Sequence, residues 1–443
     1  MIHSHGLGRN PILPPDICIP DGEAHVFGDR LYVYGSRDLL SDCYCSDEYA
    51  VVSTSDMLHW DVSDKSLDGK AIPWTDAAKR KGYPAADFDV REPAPFFRGM
   101  LRDVQFSAEQ DADCVINGML DFGKYIEKKQ LVDEHLLYAP DCMEKDGNYY
   151  LYFCMSDYSE GVAVSDSPNG PFREPQQLPC AGIDPAVFTD DDGKSYYYWG
   201  QFRSCGVPLN DDMVSFDETK IVYQLLTEEE HGFHEGSSMR KRNGIYYYVY
   251  PCIFRKGRPT CLAYATSDSP LGPFTYRGIL IDNAKCDPES WNIHGSIECF
   301  HGQWYVFYHR SSKNSRINRR MCVEKIFFRE DGTIGEVKMT SIGAGQPFAL
   351  GETIPAWRAC EVDGGAFIDG ETLVMPNGSS AVFRYVKWED VPVQTLTCEE
   401  GEGHLEILAD EMPLQGAEVG IHEIKIICHG DLKVISICFQ SAD

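Results

Sequence analysis

Polar turn pairs followed by apolar, aromatic-rich runs recur five times along the chain. Gly28-Asp29 precedes RLYVYGS, Asp146-Gly147 precedes NYYLYFC, Asp192-Gly193 precedes KSYYYWG, Asn243-Gly244 precedes IYYYVYP and His301-Gly302 precedes QWYVFYH. Asp-Gly and Asn-Gly tolerate the positive φ that a tight hairpin demands, and unbroken Tyr/Val/Phe runs suit strands buried on both faces. Each segment is therefore predicted to be a hairpin. A second element follows most of them: STSDMLHW, VSDSPNGPF, LNDDMVSF and TSDSPLGPF. Ser-Asp-Ser-Pro with a later Gly-Pro marks a turn between short outer strands. The turn pairs start 118, 46, 51 and 58 residues apart. Units of roughly 40 to 50 residues have the size of one four-stranded propeller blade. The pattern predicts an all-β fold, a five-bladed β-propeller over residues 1–345.

The oversized first interval implies an insertion over about 77–134, including DFGKYIEKKQLVDEHLL with helix-compatible periodicity. A surface excursion and a rim that shapes a pocket are both open for it. After GETIPAWRAC the rhythm changes. Residues 354–443 carry short alternating stretches, AVFRYVKW, GHLEILAD, HEIKIICH and KVISICFQ, as expected of a small β-sandwich.

In a propeller the innermost strand of each blade lines a central channel, so matching positions converge on one axis. Counting back from the turn pairs finds Asp21, Asp141, Asp184, Glu235 and His294 at five to eight residues before them. Taken singly, an Asp beside Pro or Gly caps a turn and a lone His fills a core. Together, carboxylates forced into a partly dry cavity repel one another and are desolvated, which raises the pKa of at least one. Two carboxyls with separated pKa values are what glycosidic-bond hydrolysis needs. Candidate aromatic walls for sugar rings are Tyr44, Tyr138, Trp199, Phe233, Phe254 and Trp291, for each of which ordinary packing is the competing role.

Charge narrows the partner. The 443 residues hold 40 Lys and Arg against 69 Asp and Glu, a formal charge of −29. An excess of that size repels phosphate backbones and anionic lipid, so no nucleic-acid or membrane role is expected and the ligand is read as neutral. The 24 Tyr, 22 Phe and 7 Trp lean toward β structure. Seventeen cysteines without a CxxC pair fit neither a disulfide framework nor a zinc ribbon, and free buried thiols are expected. MIHSHGLGRNPILPP has no basic segment followed by an apolar stretch, so a cytoplasmic protein is expected. The two histidines of MIHSHG are read as part of a chain end rather than a metal site. No phosphate-cradling Gly-rich loop precedes a helix, which argues against phosphoester or nucleotide chemistry.

At these residues the chain resembles glycoside hydrolase family 43, in order over about residues 10–330: NPILPPDICIPDGEAHVFGDRLYVYGSRD, YAPDCMEKDGNYYLYF, GIDPAVFTDDDGKSYYYWG, FHEGSSMRKRNGIYYYVY and WNIHGSIECFHGQWYVFYHR. The resemblance implies a five-bladed propeller with a carbohydrate-binding-module-like sandwich behind it and an inverting mechanism. It implies Asp21 as general base, Asp184 as the aspartate that orients the acid and favours its protonation, and Glu235 as general acid. Asp141 takes a supporting role, with Tyr138, Phe233 and Trp291 also on the substrate side. His294 matches a histidine that lies under the sugar and binds a central Ca²⁺ or Na⁺ ion, directly or through water, and Arg310 an arginine that contacts substrate. No organic cofactor is implied. Asp21 is followed by Gly where most relatives have Pro, and the tail resembles a family 6 carbohydrate-binding module only in GHLEILAD and KVISICFQ.

The expected activity is an exo-glycosidase that releases terminal α-L-arabinofuranose or β-D-xylose from neutral oligosaccharides, with Asp21 and Glu235 carboxyls roughly 6.5 to 9.5 Å apart. The alternatives are a β-galactosidase or galactofuranosidase of the same family, or a non-catalytic glycan-binding propeller. The motifs carry nothing on linkage or oligomeric state.

Overall fold

The computed structural model describes residues 2–4, 8–39, 43–76, 78–83, 88–103, 105–129, 136–390, 392, 394–414 and 418–441. His5 and the end of the insertion, 130–135, lie outside them.

Five antiparallel sheets repeat one up-and-down pattern. Three have four strands in chain order: Asp141–Lys145, Asn148–Cys154, Ser159–Ser165 and Arg173–Ala181; Ala186–Thr189, Ser195–Trp199, Arg203–Pro208 and Val222–Thr227; Ser238–Arg242, Ile245–Cys252, Cys261–Ser267 and Thr275–Ile281. The first sheet holds Glu23–Phe27, Arg30–Tyr34, Val51–Thr54 and Trp60–Val62, with Ile2–Ser4 on its outer edge. The fifth has three strands, Ile297–Phe300, Gln303–Ser312 and Ser315–Ile326. The first strands of the five sheets adjoin one another in order, and that of the fifth meets that of the first, closing a five-bladed propeller.

The turn chemistry explains the hairpins. Asp146-Gly147, Asn243-Gly244 and His301-Gly302 place both residues at positive φ, and Gly28 supplies the one positive φ of the first hairpin. The third hairpin is looser than expected. Its strands stop at Thr189 and resume at Ser195, with Asp190 N donating to Lys194 O at 2.8 Å around Gly193. VSDSPNGPF and TSDSPLGPF join the third and fourth strands of the second and fourth blades. The chain's beginning seals the fifth blade to the first: Ile12 N donates to Met321 O at 3.0 Å, and buried Asn10 exchanges hydrogen bonds with Val323 N and O at 2.8 Å each.

Beyond the propeller, nine strands between Phe348 and Gln440 form one hydrogen-bonded sheet organised on Gly420–Gln440. Alternate residues of that strand are buried, among them Ile424, Ile426, Cys428, Val434, Ile437 and Phe439, and they share a core with Phe383 and Trp388. Arg358 joins the two parts by donating to the carbonyls of Arg9, Asn10 and Pro11.

The insertion forms helices Pro95–Asp103 and Phe122–Lys129 and a short pair, Val115–Ile116 with Met119–Leu120. Buried Phe88, Phe97, Leu120 and Tyr125 make its own small core, completed by Ala181 and Phe202 from the blades. That packing makes it a wall of the propeller rather than a loose excursion.

Candidate active site

Four of the five channel positions come together. Asp21, Asp184, Glu235 and His294 line one cavity of about 410 Å³, with Tyr44, Tyr138 and Trp291 among its walls. Each of the four precedes the first strand of a blade by two or three residues. Asp21 and Asp184 hold left-handed backbone, φ 58° and 54°, a region that Asp tolerates better than most residues. This puts both carboxylates at the mouth of the channel, outside the strand ladders.

The three carboxyls differ sharply in surroundings. Asp21 Oδ1 lies 2.9 Å from Arg319 Nη1 and 3.2 Å from His309 Nδ1, and Ser36 Oγ donates to Oδ2. Burial alone would raise the Asp21 pKa; the Arg319 guanidinium and the His309 hydrogen bond outweigh it and hold the carboxyl well below its ordinary range. Arg319 is itself fixed by Asp38, which accepts from Nε at 2.9 Å and Nη2 at 2.8 Å. Asp184 goes the other way: burial, then the charges of Glu235 and Asp21, push it well above the usual carboxylate range. His294 Nδ1 is 3.7 Å from Asp184 Oδ2, and burial lowers the imidazole pKa. Glu235 is partly open, its side chain 17% exposed. Gln201 Nε2 donates to Glu235 Oε2 at 2.7 Å, and Tyr158 Oη donates to Gln201 Oε1 at 3.0 Å. His234 Nε2 stands 4.0 Å from the same Glu235 oxygen.

Five residues expected to contact the sugar lie elsewhere. Asp141 is the first residue of its strand and sits one strand step deeper than its counterparts, because it precedes its turn pair by five residues where they precede theirs by seven or eight. The residue two positions earlier, Ala139, lines the cavity instead. Arg310 is buried and donates to Tyr308 Oη, Glu324 and the Thr340 carbonyl; successive side chains of a strand face opposite ways, so His309 faces the site and Arg310 does not. Phe233 is fully buried against Tyr248 and Tyr250, and it is His234 that reaches the cavity. Trp199 is buried beside Tyr197, and Phe254, though exposed, packs on Tyr276 away from the cavity.

Arg319, His309, Gln201, Tyr158 and Phe96 complete the surroundings, and of these only His309 lies in a motif, FYHR. Gln201 also had a positional signal, as it directly follows the strand KSYYYWG.

Below the site, Asp141, Glu23 and His25 bring ligand atoms within 4.8 Å of one another, and Glu23 Oε2 is buried without a hydrogen-bond partner; such a cluster can hold a metal ion. Arg240 already fills this space. Its guanidinium meets Glu23 at 2.7 Å and Glu298 at 2.8 Å, donates to Ala24 O, and lies 3.5 Å from His25 Nε2. Burial and the Arg240 charge push His25 down to about 3, and burial raises Glu23 and Asp141 to about 7. Calcium takes six to eight oxygens. Two carboxylates and an imidazole in contact with a fixed cation do not match it.

Among the described residues, no helix is long and apolar enough to cross a membrane.

The family model for glycosyl hydrolases family 43 matches residues 121–334. The chain is 34% identical over 371 residues to xylosidase/arabinosidase 43A of Humicola insolens, covering 72% of this chain and 96% of that one. The chain belongs to glycosyl hydrolases family 43. This family 43 glycoside hydrolase is also similar to a solved β-xylosidase/α-arabinofuranosidase from a compost microbial metagenome, in calcium-free form with xylotriose, at TM-score 0.55 and 27% identity over 76% of this chain and 98% of that one. An arabinoxylan arabinofuranohydrolase from Bacillus subtilis aligns over 99% of both chains at TM-score 0.53 and 19% identity, a likeness of fold alone that includes the part beyond the propeller.

Proposed function

We propose that the protein is an inverting exo-glycosidase that releases terminal α-L-arabinofuranose or β-D-xylose from neutral oligosaccharides. One observation carries the reading: two carboxyls in different surroundings, Asp21 paired with Arg319 and His309 and Glu235 with one oxygen engaged by Gln201, open into the same cavity. Separated environments of this kind divide base from acid. Asp21 takes a proton from water, the water oxygen bonds to the anomeric carbon from the far face, and the glycosidic C–O bond breaks as Glu235 protonates the leaving oxygen. Asp184 places a further carboxyl beside both and orients the acid. Tyr138, Tyr44 and Trp291 offer ring faces to the sugar, and His294 closes the floor beside Asp184.

The named activities of the similar proteins support the choice of sugars. The calcium or sodium ion implied at His294 takes no part in this proposal; at the Glu23, His25 and Asp141 cluster the positive charge is supplied by Arg240. A cytoplasmic setting is supported by the free thiols of sixteen described cysteines. The test is hydrolysis of aryl arabinofuranosides, xylosides, galactosides, galactofuranosides and fucosides by the parent and by Asp21→Asn and Glu235→Gln. Turnover of the first two, lost in Asp21→Asn on every substrate and in Glu235→Gln on those with a poorly acidic leaving group, supports the proposal. A parent that binds sugar and turns over none of them defeats it.

A further inference from the structure

We propose that Phe96, carried by the insertion, is the platform on which the leaving sugar stacks, so that it sets the preference for oligosaccharides over substrates with a small leaving group. The inference rests on the reading of Glu235 as general acid.

A proton donor must reach the glycosidic oxygen, so the leaving sugar lies against the surroundings of that donor. Phe96 occupies those surroundings. It lines the same cavity as Glu235, and its ring stands edge-on to His234, with centroids 4.9 Å apart and planes at 81°. His234 directly precedes Glu235 in the chain.

Phe96 is also held in place while remaining open. One neighbour, Phe202, stacks against it at 5.3 Å and 24°; its backbone N–H donates to Glu228 Oε2 at 3.0 Å; and the next residue, Phe97, is anchored in the insertion's core. Yet 49% of Phe96 is exposed. A large ring fixed in position and left wet is poor use of an apolar side chain for packing, and good use for binding the C–H face of a neutral sugar. The ligand class is therefore a neutral pyranose or furanose unit, the penultimate residue of the oligosaccharide.

The test compares xylobiose with β-D-xylopyranosyl fluoride, whose fluoride leaving group is too small to reach Phe96. For Phe96→Ala the ratio of kcat/KM on xylobiose to kcat/KM on the fluoride is expected to fall about tenfold relative to the parent, which corresponds to about 1.4 kcal/mol and lies within the range for aromatic contacts. Phe96→Trp is expected to keep the ratio within about twofold of the parent's, and both variants to melt as the parent does, since the exchanged ring is half exposed. An unchanged ratio in Phe96→Ala, whether both substrates suffer alike or neither does, overturns the assignment. A parent inactive on both xylosyl substrates and on their arabinofuranosyl counterparts brings down the glycosidase reading, and this inference with it.

Discussion

Replacing Arg240 by Met tests whether a side chain, and not an ion, neutralises the propeller channel. Arg240 is buried and bridges carboxylates from two other blades, Glu23 at 2.7 Å and Glu298 at 2.8 Å, while also donating to the carbonyls of Ala24 and Met239. Met fills a comparable volume, so the change removes charge and hydrogen bonds with little loss of packing. Removing one partner of a buried ion pair costs about 3–5 kcal/mol, because the other charge is stranded. Glu23, whose pKa burial has already raised to about 7, can shed part of that cost by taking a proton. At about 2 °C per kcal/mol for a chain of this size the melting temperature should fall by roughly 5–10 °C. Differential scanning calorimetry at neutral pH, with excess chelator and with excess calcium, provides the readout. The parent should melt alike in both, and Arg240→Met should lose stability and regain part of it with a divalent cation, which can then reach Glu23, His25 and Asp141. A parent destabilised by chelation, or an Arg240→Met variant as stable as the parent, would refute the reasoning.

Other expectations follow from the same geometry. Asp21→Asn should lower kcat by about 10²–10⁴, the range for a general base, and should also lower the melting temperature, since buried Arg319 keeps only Asp38 as a charged partner, as read by steady-state kinetics and calorimetry. Glu235→Gln should lose most activity on xylobiose and far less on an aryl glycoside with a strongly acidic leaving phenol, a contrast visible in a plot of log kcat against leaving-group pKa. Stability should fall as pH rises from about 4 to about 7: burial raises Glu23 and Asp141 to about 7, so in that window the folded chain retains protons that the unfolded chain has released. Glu23→Gln should remove its share of that slope, about 3 kcal/mol at most at 1.4 kcal/mol per pKa unit; a chemical denaturation series across pH reads it. Asp21 acts with the opposite sign, and its stabilisation is lost only below its unfolded value near 4, as acid protonates it.

Repetition made the propeller legible. A turn pair and an aromatic strand, read five times and, after the insertion, 46 to 58 residues apart, specify a blade without any knowledge of partners, because hairpins are local. The same locality explains the site residues that could be read: Asp21, Asp184, Glu235 and His294 keep a fixed distance from their hairpins. Asp141 broke that count by two residues and lies one layer deeper, with Glu23. Arg310 was misplaced for a subtler reason, since a strand's alternation sends His309 to the site and Arg310 to Glu324, and the motif FYHR does not say which face is which. Arg319 and Phe96 were beyond reach altogether. Arg319 meets Asp21 across 298 residues, and Phe96 comes to the cavity through an insertion whose packing on Phe202 depends on tertiary structure. Charge repulsion among the channel carboxylates is readable from the repeats, but the compensation of Asp21 by Arg319 and of Asp141 by Arg240 is not, because an arginine in SSMRKR looks like any exposed strand residue.

The most direct test of the central claim is the anomer first released. Proton NMR followed from the start of hydrolysis of a β-D-xyloside, at enzyme concentrations that outpace mutarotation, should show α-D-xylose appearing first and the β anomer growing in only as it equilibrates, since Asp21 delivers water from the face opposite the leaving group. Initial release of β-D-xylose would mean a covalent intermediate and retention, and would contradict the division of roles between Asp21 and Glu235.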